Sequence, residues 1–150
     1  MKEVFEMQDV LNDYILAKAG SSWSMAKAND SWEKEWVPRF AEAFQAEYAE
    51  LLECTEFVEI DRAMAKVEIV DMIHFLCSLS IMVKITPGEA ECCLTEGAVS
   101  YKRSPSANIP VLVFGALDKI HSGVPWKWWQ SGGLYDEVKV REGVVWLWSG

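Results

Sequence analysis

The sequence predicts an all-α protein, in which a bundle of four to five helices precedes an irregular, tryptophan-rich C-terminal segment. Apolar residues recur at helical spacing through most of residues 4–103. Helix stop and start signals separate these stretches, most clearly at "TPGE" from Thr86, and the composition turns Pro-, Gly- and Trp-rich near Ser104. The 150 residues, 51% of them hydrophobic, suit a single domain, 1–150, with its helical core at about 4–103 and an extension at about 104–150.

The first two helices are defined by their apolar stripes. Val4, Leu11 and Ile15 share one face of a helix predicted over about residues 4–19, which "GSS" ends. Asp30 and Glu33 have the spacing of a capping box. A second helix runs to about residue 54 and either begins near Pro38 or bends there, since proline does not fit deep inside a straight helix.

Two further helices follow. The third is predicted from residue 60 or 61 to about residue 85. The fourth spans about residues 87–101, where Thr86 caps, Pro87 takes the first helical position and Glu89 completes a capping box. Beyond it, "VLVFGALDKI" is compatible with either a short buried helix or a strand.

Composition excludes several classes of function. A formal net charge of −9 argues against binding a nucleic acid polymer by charge. No charge-free apolar run of about twenty residues predicts a membrane span, and the acidic N-terminus lacks the layout of a signal peptide. The four cysteines have no zinc-type pairing and are expected to be reduced thiols of a cytoplasmic protein.

Acidic residues lie on helix faces that should be buried. At 100° per residue, Glu47 falls inside the apolar stripe of the second helix and Glu50 beside it. The third helix is apolar nearly all round and leaves one polar seam, formed by Glu68, Asp71, His74 and Ser78. If these helices pack antiparallel, four carboxylates converge.

Converging carboxylates need compensation by a cation. Ligation by oxygen alone suits Mg²⁺ or Mn²⁺, and open positions on Mg²⁺ suit a substrate phosphate. One pair of acidic residues three apart is more often a solvated helix face, but with two such pairs a metal site and a solvated face are equally compatible with the sequence. A di-iron bundle would need Glu and His three apart on two helices, and only Asp71 with His74 comes near that pattern.

The residues that carry this pattern resemble a known superfamily. "EYAELLE" followed by "KVEIVDMIHFLCSL" is similar to the all-α nucleoside triphosphate pyrophosphohydrolases, which include MazG-type enzymes and dimeric dUTPases. The resemblance covers about residues 4–103. Its Glu-x-x-Glu and Glu-x-x-Asp motifs match Glu47, Glu50, Glu68 and Asp71, and it implies that these four residues bind the metal.

A second likeness concerns recognition of the substrate. "MQDVLND" resembles the Q-x-x-L-N of dimeric dUTPases, which implies that Gln8 and Asn12 read the base. By the same resemblance Trp23 belongs to the binding site, and His74 contacts the sugar or supports the metal ligands. "YKRS" corresponds to a reduced form of the family's Y-x-x-K-N, so Lys102 and Arg103 are candidates for phosphate contacts.

The tryptophan block departs from the family pattern. Dimeric dUTPases have a W-K-W-W-K-like block between the two acidic motifs, whereas here "PWKWWQ" occurs near the C-terminus, from Pro125. The resemblance therefore implies dUTP as the first-choice substrate and leaves a purine deoxynucleotide, dGTP or dATP, as the alternative.

The resemblance implies cleavage between the α and β phosphates, which yields a nucleoside monophosphate and pyrophosphate. Glu47 or Glu50 would also orient or deprotonate the attacking water. Helices that are apolar nearly all round, and the family's habit, predict a homodimer or a homotetramer. A different class of function, an acidic helical binding or inhibitory protein with an exposed C-terminal tryptophan patch, would not explain carboxylates on apolar faces.

Overall fold

Seven α-helices make up the described part of the chain, which a computed structural model gives for residues 1–28, 30–56, 61–103, 109–124 and 135–149. The helices are α1 (Lys2–Lys18), α2 (Trp23–Ala28), α3 (Asp30–Glu56), α4 (Arg62–Met82), α5 (Pro87–Arg103), α6 (Ile109–Gly123) and α7 (Glu137–Ser149). These ranges contain no strand, and the all-α prediction is confirmed. The segment "VLVFGALDKI" is helical, and α7 adds regular structure to the C-terminal extension.

The centre of the fold is an antiparallel pair formed by α3 and α4. Glu33 near the start of α3 contacts Lys84 just beyond the end of α4, with Nζ and Oε1 3.5 Å apart. Glu47 and Glu50, further along α3, meet Glu68 near the start of α4. Of the two alternatives at Pro38, a helix that begins there is wrong, because α3 already starts at Asp30 and continues through the proline. A bend at Pro38 stays a prediction.

Side-chain and backbone caps fix both ends of the connection between α4 and α5. The capping box predicted for α5 is confirmed: the Glu89 carboxylate accepts from the Thr86 N–H at 2.8 Å, and the Glu89 N–H donates to Thr86 Oγ1 at 3.2 Å. Lys84 adopts φ 59°, the left-handed conformation that ends α4, and the next N–H donates to the Ser80 carbonyl at 2.8 Å. The capping box expected at Asp30 involves a side chain outside the described residues.

The helix α1 is apolar on two sides, and the structure buries the side that carries its amides. Its buried residues are Phe5, Gln8, Asn12 and Leu16. Val4 and Ile15, expected on the core face, are 39% and 50% exposed. Phe5 stacks on the Trp148 ring of α7 at 6.2 Å between centroids, and this contact helps to choose the buried face.

The helix α7 joins the C-terminal pair of helices to the rest of the bundle. The Trp148 indole N–H donates to Ser80 Oγ on α4 at 2.8 Å, and both residues are buried. The α6–α7 pair approaches so closely at Gly143 that a Cβ there would lie 2.6 Å from Ile120 Cγ1 and 2.8 Å from the Ala116 carbonyl oxygen.

Two exclusions based on composition can be compared with the structure. No helix among the described residues is long and apolar enough to cross a membrane. All four cysteines are free thiols.

We expect Gly143→Ala to lower the free energy of unfolding by about 1–3 kcal/mol, because the added methyl group forces α6 and α7 apart. Gly115→Ala in α6 is the matched control, since its Cβ would meet only the Trp146 ring at 3.9 Å. The control should be neutral or up to about 1 kcal/mol more stable, because alanine favours the helix. Urea unfolding of both variants measures the difference, and equal stabilities would contradict the close approach.

Candidate active site

Three carboxylates meet where α3 crosses the first half of α4. One carboxylate oxygen from each of Glu47, Glu50 and Glu68 lies within 4.8 Å of the others. Glu68 is only 4% exposed, whereas Glu47 is half-buried and Glu50 is exposed. The cluster therefore has one side in the helix interface and one side open to solvent.

The proximity of these groups changes the acidity of Glu47. Its pKa is raised, first because burial penalises the charged form, then because its carboxyl is hydrogen-bonded to Glu68 and faces the charges of Glu50 and Asp71. Asp71 is half-buried and lines the same cavity as Glu47. The structure thus brings the four predicted metal ligands to one region, with three of them in the tight cluster.

A cavity of about 600 Å³ lies between α1, α3 and α4 beside these carboxylates. Its volume is in the range of small-molecule sites. Apolar and aromatic side chains form most of its wall, including Trp36, Phe40 and Phe75. Glu47 and Asp71 contribute acidic groups to the wall, and Gln8 and Asn12 contribute amides.

The amides belong to a buried cluster of hydrogen bonds that connects α1 to α4. Gln8 Nε2 donates to Asn12 Oδ1 at 2.8 Å and to Ser78 Oγ at 3.0 Å. Asn12 Nδ2 donates to the same Ser78 oxygen at 3.1 Å. His74 Nδ1 lies 2.5 Å from Gln8 Oε1 and is the donor, because an amide oxygen only accepts. Four side chains of the polar faces of α1 and α4 therefore line one cavity next to the acidic cluster.

Trp23 lies behind the cavity wall and does not line the cavity. Its side chain is completely buried, and the indole N–H donates to Asp9 Oδ1 at 2.6 Å. Its ring meets the Phe40 ring edge-on, 6.1 Å between centroids, and Phe40 does line the cavity. Lys27 bonds to the same Asp9 carboxylate, whose pKa is lowered by its bonds to Lys27 and Trp23 in spite of the opposing effect of burial.

Trp36 and Arg39, which both line the cavity, are not among the residues predicted from the sequence. Arg39 lines the cavity, pairs with Glu35 at 2.8 Å and holds its guanidinium 4.8 Å from the centre of the Trp36 ring. Four cavity residues of α3 recur at three- and four-residue intervals, namely Trp36, Phe40, Ala43 and Glu47, and Arg39 lies three residues after Trp36. That spacing from the predicted acidic residue back towards Pro38 was the signal that could have found them.

Some predicted residues lie outside the described part. Lys102 and Arg103 end α5, but the described residues do not include their side chains. The block "PWKWWQ" at 125–130 also lies outside the described residues. Their expected contacts therefore stay predictions.

A comparison with known protein families identifies the family of this chain. A family model described as dUTPase matches residues 1–124, which include every helix that lines the cavity. The chain belongs to this dUTPase family. No curated protein and no solved structure matches this chain.

Membership of the dUTPase family confirms the resemblance to all-α nucleotide pyrophosphohydrolases, to which MazG is related. It implies a nucleoside triphosphate hydrolase that acts on a nucleotide substrate. The matched residues contain both acidic motifs and the amide pair, whereas α7 lies beyond the match. The dUTPase-family region is therefore the region that holds the cavity.

We expect Glu68→Gln to raise the free energy of unfolding in EDTA by about 1 kcal/mol, and therefore to raise the melting temperature. The substitution removes one like charge from the cluster, and the new amide donates to Glu47 instead of repelling it. Glu42→Gln, at an exposed position of the same α3 helix, is the control and should change little. A lower melting temperature for Glu68→Gln would show that the carboxylates are not in conflict.

Proposed function

We propose that this protein is a metal-dependent dUTP pyrophosphohydrolase, which produces dUMP and pyrophosphate. The observation that carries this proposal is that the carboxylate cluster of α3 and α4 adjoins a cavity whose wall includes the amides of Gln8 and Asn12, which are able to read a base. The family match supports hydrolysis of a nucleoside triphosphate. Neither a binding protein nor a structural helical bundle would require acidic groups in this position.

The donor set fits Mg²⁺, or Mn²⁺ in its place. All candidate ligand atoms of Glu47, Glu50, Glu68 and Asp71 are carboxylate oxygens, which hard divalent cations prefer. The crowding that raises the pKa of Glu47 is also what a bound cation relieves. Magnesium held there would offset the charge of the triphosphate and lower the pKa of a water molecule.

Water activation and the contacts with the base, the sugar and the phosphates are assigned to residues of the chain. Glu47 or Glu50 orients the attacking water and takes its proton. Gln8 and Asn12 hydrogen-bond the base within the cavity, and His74 reaches the sugar. Trp23 acts indirectly in this scheme, through the position of Phe40. We assign the contacts with phosphate oxygens to Arg39, which lines the cavity, and to Lys102 and Arg103 of α5.

We expect the protein with Mg²⁺ to release pyrophosphate from dUTP faster than from dCTP, dTTP, dGTP or dATP. Glu50→Gln should lower kcat about a hundredfold or more, since it removes a metal ligand and a candidate base. Glu53→Gln, another exposed glutamate of α3 one turn further on, should keep full activity. Quantifying the monophosphate and the pyrophosphate for each nucleotide tests the reaction and its base preference.

Several outcomes would contradict this proposal. Selective turnover of dGTP or dATP would replace the uracil assignment with the purine alternative. Equal activities of Glu50→Gln and Glu53→Gln would remove the acidic cluster from the mechanism. A melting temperature unaffected by Mn²⁺, together with no turnover, would favour a non-enzymatic binding protein, because a metal that binds the folded state must stabilise it.

The outer face of α1 is the surface that we assign to self-association. Four residues of this face have the three- and four-residue spacing of a helix-packing seam: Val4, Met7, Leu11 and Tyr14. Met7 is 70% exposed and Tyr14 is 57% exposed. Glu3 lies in the first turn and Lys18 in the last, both on the side of this seam. A second copy packed antiparallel across a twofold axis would bring each Glu3 to the partner's Lys18 and cover the apolar seam.

We expect the wild-type protein to be a homodimer and Val10→Glu to shift it to monomer, because Val10 is 70% exposed beside this seam. Val138→Glu is the matched control, since Val138 of α7 is 69% exposed. Light scattering during size-exclusion chromatography gives the mass of each. A monomeric wild type, or dissociation by Val138→Glu alone, would refute the α1 interface, and a tetramer would require a second one.

A further inference from the structure

Ser78 is at the centre of the amide cluster and has no role in the function proposed above. It lies on α4 one turn after His74, is 1% exposed and lines the cavity. Its Oγ accepts hydrogen bonds from Gln8 Nε2 and Asn12 Nδ2. Its own proton goes either to the His74 carbonyl oxygen at 3.1 Å or to Asn12 Oδ1 at 3.2 Å. A hydroxyl offers two acceptor positions and one donor, so all three are used.

This arrangement fixes which end of each amide points where. Because Ser78 Oγ accepts from both amides, the nitrogen of Gln8 and the nitrogen of Asn12 face it. Asn12 Oδ1 accepts from Gln8 Nε2 at 2.8 Å and is also within reach of the Ser78 proton at 3.2 Å. Gln8 Oε1 is then turned to His74, whose Nδ1 carries the proton. Within the cluster, one N–H of Asn12 and one lone pair of Gln8 Oε1 remain for a ligand. A lone pair of Asn12 Oδ1 remains as well when the Ser78 proton goes to the His74 carbonyl oxygen.

An amide that is not held can rotate by half a turn and exchange its oxygen for its nitrogen with little change in shape. Uracil and cytosine differ by the same exchange along their pairing edge. In uracil N3 donates and O4 accepts, whereas in cytosine N3 accepts and the exocyclic N4 donates. Amides with a fixed orientation distinguish the two bases, and amides that rotate freely accommodate both.

We infer that Ser78 is a positioning residue that locks the Gln8 and Asn12 amides and thereby sets the preference for uracil over cytosine, an inference that rests on the proposed function. Ser78 touches no reacting atom in this role. It acts through the two amides, so its loss should affect the choice of base more than the chemical step.

The test compares kcat/KM for dUTP and dCTP in the wild type and in Ser78→Ala. We expect the dUTP-to-dCTP ratio to fall about tenfold to a hundredfold, mainly through a higher KM for dUTP and a gain in dCTP turnover, while kcat for dUTP changes little. Ser80→Ala is the matched control, since Ser80 is also a buried serine of α4 but bonds to Trp148 instead of the amides. Its ratio should equal that of the wild type.

Each result decides between the two proposals. Wild-type protein that hydrolyses no deoxynucleotide would refute the proposed function itself. A wild type that hydrolyses dUTP but keeps its ratio in Ser78→Ala, or loses kcat alone, would refute the role of Ser78 and leave the function standing. If Ser78→Ala does not fold, Ser78→Cys, which is close in volume and only a weak acceptor, takes its place, and an unchanged ratio there would equally refute the inference.

Discussion

Mutual repulsion of carboxylates in the contact between α3 and α4 is the constraint on which the rest of the structure depends. Glu68 is nearly buried and shares its surroundings with the half-buried Glu47 and the exposed Glu50, so the fold keeps like charges together at the edge of a helix interface. A core built for stability alone would have apolar side chains there. The long antiparallel helices on either side provide enough buried contact to tolerate the conflict, and under the proposed function a bound cation would relieve it.

In the second polar region of the interior, the polar groups are paired by hydrogen bonds instead of repelling one another. The amides of Gln8 and Asn12 satisfy one another through Ser78 and His74, so their burial requires no ligand. One side of the cavity is thus electrostatically strained and the other is already paired. Under the proposed function a nucleotide would suit both, because its phosphates would bring metal ions to the acidic side and its base would exchange partners with the amides.

Local helical geometry explains how much of the fold and of the candidate site could be predicted from the sequence. The seam of α4 and the pair on α3 depend only on 100° per residue, so the positions of Glu47, Glu50, Glu68 and Asp71 follow from their spacing alone. The buried face of α1 could not be predicted, because it has apolar residues on two sides and Trp148, far along the chain, helps to select one. The segment forming α6 was ambiguous because a short apolar run has no distinctive period. The spacing along α3 could have indicated Arg39, whereas Ser78 acquires its role only through its contacts with α1.

The stacking of Phe5 on Trp148 has a consequence for the order in which the protein folds. The α3–α4 pair is made of neighbours in sequence and can form early, whereas the contact of α1 with Trp148 requires that α7, near the other end of the described chain, has docked. The acidic half of the cavity would then exist before the amide half. A partly folded chain would then carry the carboxylate cluster without the amides that the proposed function assigns to base recognition.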